Sequence, residues 1–159
     1  MEDAFGATAV GVASYAAATV AFLALTILLA VSWRGRAQGV RLIGASAMTA
    51  LWAALLTLQA WRDGFPAIVV YTLEVLRGGA WIFALLALAH GVLPRYLAIA
   101  AHTVWIALAI VGWVFVAHAG RLLAPAGIAL ALAVLVLIEQ IYRNANASGR
   151  EDFKFLAIG

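Results

Sequence analysis

Cysteine is absent from this 159-residue chain, and proline and charged residues are both scarce. Without cysteine the chain has no disulfide framework, no thiolate metal site and no thiol nucleophile. Only 3 prolines are present, and charged residues make up 11% of the sequence, whereas a soluble domain usually carries about a quarter. The net charge of +3 does not indicate a nucleic-acid partner, because the arginines lie between hydrophobic segments and not along one face.

Apolar residues make up 67% of the sequence, and the mean hydropathy is +1.06. No folded core of this size could hide so much apolar surface from water, whereas a helix of roughly 20 apolar residues crosses a bilayer. The chain is therefore predicted to be an all-α, polytopic transmembrane helical bundle that forms one membrane domain over residues 1–159. The predicted spans cover about residues 6–33, 42–61, 67–89, 96–117 and 122–142, and a truncated sixth span starts at about residue 153.

The basic residues between the spans predict the orientation. With the N-terminus outside, the outer loops hold only Arg62 and Arg121, and Arg77 lies within a span. The other basic residues fall on the inner side: Arg34, Arg36, Arg41, Arg95, Arg143, Arg150 and Lys154. Because inner loops are enriched in lysine and arginine, we expect a multi-pass membrane protein whose N-terminus lies outside. The acidic start, Glu2 and Asp3, argues against a cleaved signal peptide.

One charged pair, Glu74 and Arg77, lies in the middle of the third predicted span. Residues three apart on a helix share a face and can pair. Charges near the bilayer centre are costly and usually point into the bundle. Two interpretations stay open: a ligand or signal site lined by this pair with Gln59 or His102, or a structural pair that sets the rotation of the helix.

No catalytic constellation is recognisable, and no cofactor is predicted. The three histidines are not paired at metal-ligand spacing, so no metal site is predicted either. His102, within the fourth span, could relay a proton or contact a ligand, or it could simply bond to a neighbouring backbone group. His90 is rejected as a phosphoacceptor because it ends a membrane helix and lacks a following acidic residue.

A polar cluster marks the inner end of the fifth span. Tyr142 suits the headgroup layer and Arg143 marks the cytoplasmic side. The complete cluster consists of Glu139, Gln140, Tyr142, Arg143 and Asn144. From its composition alone, this cluster is a membrane boundary.

Together with its surroundings, however, this cluster resembles a known family. Glu139–Asn144, followed after a short polar linker by Lys154, Phe155, Leu156 and Gly159, is similar to the membrane sensor region of PrsK-type histidine kinases of the PEP-CTERM/exosortase system. The resemblance extends over nearly all of the chain. Further matching segments lie at residues 14–18, 32–36, 50–54, 73–77 and 80–81.

The resemblance implies that this chain is a fragment, the signal-input region of a bacterial two-component sensor histidine kinase that regulates exopolysaccharide genes. Further spans, a GAF-like module, a phosphoacceptor domain and an ATP-binding domain would follow it. The parent would be a protein histidine kinase, whereas this segment carries no catalytic site. The implied partners are the lipid bilayer, a second copy through the parent kinase, and a cognate response regulator.

Two alternatives remain from the sequence. The chain could be a small transporter or transporter half with Glu74 and Arg77 lining a pathway, or a structural membrane scaffold. Transporters often carry internal repeats with broken helices. No internal repeat is visible, and Pro66, Pro94 and Pro125 are predicted to lie at or near span ends, which disfavours a transporter.

Overall fold

The computed structural model describes the backbone of residues 2–33, 35, 37–62, 64–89 and 93–158. Within these ranges, it describes the surroundings of side chains from Ala9 to Arg143, with the exception of Ala37. Within these residues the structure contains helices joined by short turns and no strand, which confirms the predicted all-α class. Five α-helices follow one another, with one 3₁₀ turn at Val116–His118 before the last. They are α1 (Glu2–Val31), α2 (Ala37–Arg62), α3 (Ala67–Leu88), α4 (Arg95–Val114) and α5 (Ala119–Ile158).

Each of the five helices is long and apolar enough to cross a membrane, which confirms the five predicted spans of a multi-pass protein. A helix of 20 residues is about 30 Å long, close to the thickness of the hydrocarbon core. The candidate spans are Ala9–Val31, Gln38–Arg62, Ala67–Leu88, Arg95–Val114 and Val116–Arg143.

Two prolines lie at span ends as expected, each at the start of a helix. Pro66 and Pro94 occupy the N-cap positions of α3 and α4, with φ of −57° and −61°. Proline disfavours a helical conformation in the residue before it, so the preceding chain leaves its helix. At the α1–α2 turn, Gly35 adopts a φ of +80°, a left-handed conformation that glycine takes without steric cost.

Pro125 differs from this expectation because it lies inside α5, which already begins at Ala119. Proline lacks the N–H that would bond to the carbonyl of Arg121, and its ring crowds that carbonyl. Proline is tolerated within membrane helices when neighbouring groups satisfy the freed carbonyl. Pro125 is therefore not a boundary of the fifth helix.

The predicted start of a sixth span at about residue 153 is not supported. Instead, α5 is one helix of 40 residues that continues through the polar segment as far as Ile158. Such a helix is about 60 Å long, roughly twice the thickness of the hydrocarbon core. Polarity ends the apolar span near Arg143, but it does not end the helix.

The third helix lies at the centre of the bundle. It packs against α2, α4 and α5, whereas α1 packs mainly against α2. The buried core is built around Tyr71, Val75 and Ile82 of α3, with Leu130 and Leu137 of α5. Large apolar side chains on the outer faces of all five helices are exposed, as expected where lipid is the solvent.

Three glycines allow bulky side chains to reach a neighbouring helix backbone. Leu130 packs on Gly78, Trp105 on Gly79, and Tyr71 on Gly112. Small residues permit such close approach between membrane helices. The space beside Gly44 of α2, in contrast, is open.

Candidate functional site

Glu74 and Arg77 form an ion pair midway along α3. Nη2 of Arg77 donates a hydrogen bond to Oε1 of Glu74. Glu74 is 6% exposed, and the side chain of Arg77 is 25% exposed. The helical spacing thus places both charges on one face, where each neutralises the other inside the bundle.

Trp52 of α2 provides the other principal contact of Arg77. Cζ of the guanidinium lies 4.4 Å from the centroid of the Trp52 ring, a cation–π arrangement. Trp52 in turn meets Tyr15 of α1 edge to face, with ring centroids 6.0 Å apart. A continuous series of side chains therefore connects α1, α2 and the charged pair.

The last helix passes close to the carboxylate. A Cβ atom at Gly127 would lie 3.4 Å from Oε1 of Glu74, so a side chain larger than alanine would meet the charged pair. Three residues further on, Leu130 packs on Gly78, with its Cδ1 2.8 Å from where a Cβ would stand. The pair therefore lies at the contact between α3 and α5.

A second polar connection joins α2 and α3 one turn beyond Arg77. Nε1 of Trp81 donates a hydrogen bond of 2.9 Å to Oγ1 of Thr49. The Thr49 hydroxyl donates in turn to the carbonyl of Ala45, also at 2.9 Å. Polar groups buried between membrane helices are satisfied by such bonds, and these bonds hold the Trp81 ring in place.

Beside the charged pair, a groove of about 360 Å³ opens between α3 and α5. Arg77, Gly78 and Trp81 line it from α3, and apolar residues between Leu130 and Ile138 line it from α5. Arg77 has five N–H donors, of which the structure pairs one with Glu74. Its Nε is buried and has no hydrogen-bond partner within the described residues, so this atom is closed to the groove. Because the partly exposed side chain of Arg77 lines the groove, the terminal nitrogens of the guanidinium are the donors at one end of this apolar site.

The structure does not join Gln59 or His102 to this pair. Oε1 of Gln59 accepts a hydrogen bond of 2.8 Å from the backbone N–H of Phe65, in the turn between α2 and α3. Nδ1 of His102 donates to the carbonyl of Ala98 at 2.7 Å. The His102 ring also packs edge to face on Phe83, with centroids 5.0 Å apart. Both residues bond locally, as the simpler interpretation of His102 expected.

The boundary cluster lies at the end of the apolar stretch of α5. Arg143 and Glu139 form an exposed ion pair with a distance of 3.6 Å, and Tyr142 is also exposed, whereas Gln140 is half-buried. The side chain of Asn144 lies outside the described residues. Exposed pairs contribute little to stability, so this cluster matches a membrane boundary and not a buried site.

No family model, curated protein or solved structure matches this chain. Among the described residues, no group of three or more histidine, cysteine, aspartate or glutamate side chains could hold a metal ion. The residues that sequence reasoning missed are Trp52 and Gly127. Trp52 was noted only as part of a family-like segment, because its contact with Arg77 depends on how α2 and α3 are rotated.

Proposed function

We propose that this chain is the membrane-embedded signal-input region of a bacterial sensor histidine kinase, with the Glu74–Arg77 pair at its centre. The observation that carries the proposal is the unbroken helix α5 (Ala119–Ile158). One part of this helix contacts the charged pair, and the same helix continues through the polar segment beyond the apolar span. A rigid helix is a direct physical link between an intramembrane site and modules outside the membrane.

The proposed mechanism uses the contact between α3 and α5. Glu74 faces Gly127, and Leu130 fits onto Gly78, so a change at the charged pair alters how α5 packs. The displacement passes along α5 through the Arg143–Lys154 segment. In the parent protein, which would be a homodimer, the displacement would reach a phosphoacceptor domain and an ATP-binding domain. The kinase would then transfer phosphate to a response regulator of exopolysaccharide or exosortase-linked genes.

The proposal includes a bacterial inner-membrane location with the N-terminus in the periplasm. This orientation follows from the excess of basic residues on one side of the spans. Reporter fusions test it: a cytoplasmic fluorescent reporter is expected to be active when fused after Gln38, and alkaline phosphatase is expected to be active after Gly64. Reporters that work on the same side at both positions would contradict the five-span orientation.

The signalling proposal predicts that a wedge between α3 and α5 changes kinase activity. The reading frame beyond Gly159 is expected to encode a histidine-kinase core, and the parent protein is the one to assay. Valine at Gly127 would meet the Glu74 carboxylate. Gly127→Val should therefore change basal autophosphorylation by at least about threefold, compared at equal membrane abundance. A change of this size is typical of mutations that alter coupling between distant sites.

Gly11→Val is the matched control, because nothing lies within 4 Å of a Cβ at Gly11. This variant is expected to retain wild-type autophosphorylation. Equal activity of the Gly127→Val and Gly11→Val proteins would refute the proposed link through α5, and a stop codon directly after Gly159 would refute the kinase proposal itself.

A further inference from the structure

We propose that the groove beside Arg77 binds an uncharged, lipid-dissolved carbonyl compound of the quinone class. The inference rests on the proposed function in that it takes the Glu74–Arg77 site as the signal input. It names the chemical class of molecule that would occupy this input.

The depth of the groove excludes water-soluble ligands and lipid headgroups. Arg77 stands near the middle of α3, whose 22 residues form the whole third span. Its Cα therefore lies about 15 Å from either headgroup layer, since the hydrocarbon core is about 30 Å thick, and the ion pair with Glu74 holds its guanidinium against the same helix. A molecule that reaches it must be dissolved in the hydrocarbon layer.

The charge of the site selects a neutral ligand. Glu74 already neutralises Arg77, so a bound carboxylate would leave a net negative charge in the hydrocarbon, which is costly. A cationic ligand would meet the guanidinium. Because arginine has donors and no acceptor, the ligand must present an acceptor, and a neutral carbonyl oxygen meets both requirements.

The walls of the groove suit a flat ring with an apolar tail. Trp81 forms one wall, and its Nε1 is already bonded to Thr49, so its indole offers an apolar surface. Leu130, Val134 and Ile138 of α5 form the opposite wall. The volume of about 360 Å³ falls within the range of about 300–1,000 Å³ typical of ligand sites. A quinone ring combines carbonyl acceptors with a flat apolar body.

Binding is tested with the purified 159-residue chain in phospholipid nanodiscs, using radiolabelled decylubiquinone as the probe and empty nanodiscs as the blank. The wild-type chain is expected to bind it saturably. Ala131 lines the groove, so Ala131→Leu fills the groove and should weaken binding by about tenfold or more through steric exclusion. Ala107, exposed on α4, is the matched control, and Ala107→Leu should bind like wild type.

Arg77→Lys gives a second, chemical test. Lysine keeps the positive charge beside Glu74 but loses the planar guanidinium with its fixed donors, so binding should weaken by about fivefold. Helical circular dichroism equal to wild type shows that each variant is folded. Retention of decylubiquinone that is unsaturable, or equal in the Ala131→Leu and Ala107→Leu proteins, would overturn the inference. Saturable, groove-dependent binding of palmitate in place of decylubiquinone would overturn it as well.

The binding assay contains no kinase domain, so the two proposals fail separately. Saturable binding without any effect of Gly127→Val on autophosphorylation would refute the signalling function and leave the ligand class intact. An effect of Gly127→Val without saturable decylubiquinone binding would leave the signalling function intact and refute the ligand class.

Discussion

Substitution of Gly112 by alanine is expected to lower the free energy of unfolding by about 3 kcal/mol, the upper part of the usual range for overpacking a core. A Cβ atom at this position would overlap the ring of Tyr71. Tyr71 is 1% exposed, and its hydroxyl donates a 2.7 Å hydrogen bond to the carbonyl of Leu108. The ring therefore cannot turn away without losing this bond, and α4 must separate from α3.

The measurement is reversible unfolding by sodium dodecyl sulfate in mixed micelles, followed by helical circular dichroism. Gly44→Ala is the matched control, because Gly44 also lies within a helix and nothing stands within 4 Å of its Cβ position. Alanine is a better helix former than glycine by up to about 1 kcal/mol, so Gly44→Ala should be as stable as wild type or more so. Equal stability of the two variants would contradict the docking of Tyr71 on Gly112.

Removal of one member of the buried ion pair is expected to lower the free energy of unfolding by a similar amount. Arg77→Ala leaves the Glu74 carboxylate without its partner inside the bundle, and breaking a buried pair in this way costs about 3 kcal/mol. The substitution also removes the guanidinium from the face of Trp52. The double variant Glu74→Gln/Arg77→Met leaves no unpaired charge, and its stability is expected to lie close to wild type.

A double-mutant cycle measures this coupling in the same unfolding assay. Arg143→Ala provides the comparison, since Arg143 forms an exposed pair with Glu139 on a helix and should change stability by about 0.5 kcal/mol or less. If the effects of Glu74→Gln and Arg77→Met simply add in the double variant, the two residues do not stabilise one another and the pair is not a unit.

Local features of the chain predicted much of the architecture. Apolar runs of membrane-spanning length predicted the five spans, and Pro66 and Pro94 were placed correctly at or near span ends, because both features depend on short stretches of sequence. The predicted sixth span is not supported, and the reason is physical. A polar segment ends the contact with lipid, but the hydrogen bonds of a helix persist in water, so α5 continues past Arg143.

The candidate site was predictable only in part. The pairing of Glu74 with Arg77 follows from helical spacing alone. The contacts of the pair with Trp52 and Gly127 do not, because they require the relative rotation of three helices. Gln59 and His102 lie on neighbouring spans and seemed equally suitable, but each finds a hydrogen-bond partner within a few residues of itself. A local bond satisfies a polar side chain and leaves nothing to draw it toward a distant charge.

The sequence alone predicts a multi-pass membrane protein, five helices that are long and apolar enough to cross a bilayer, and one charged pair in the middle of the third helix. These properties follow from composition and from the period of a single helix. The central position of α3 and the groove between Arg77 and α5 depend on how the helices pack. Because lipid is as apolar as the side chains, hydrophobicity does not select which helix faces meet; the fit of Tyr71, Trp105 and Leu130 onto glycines does.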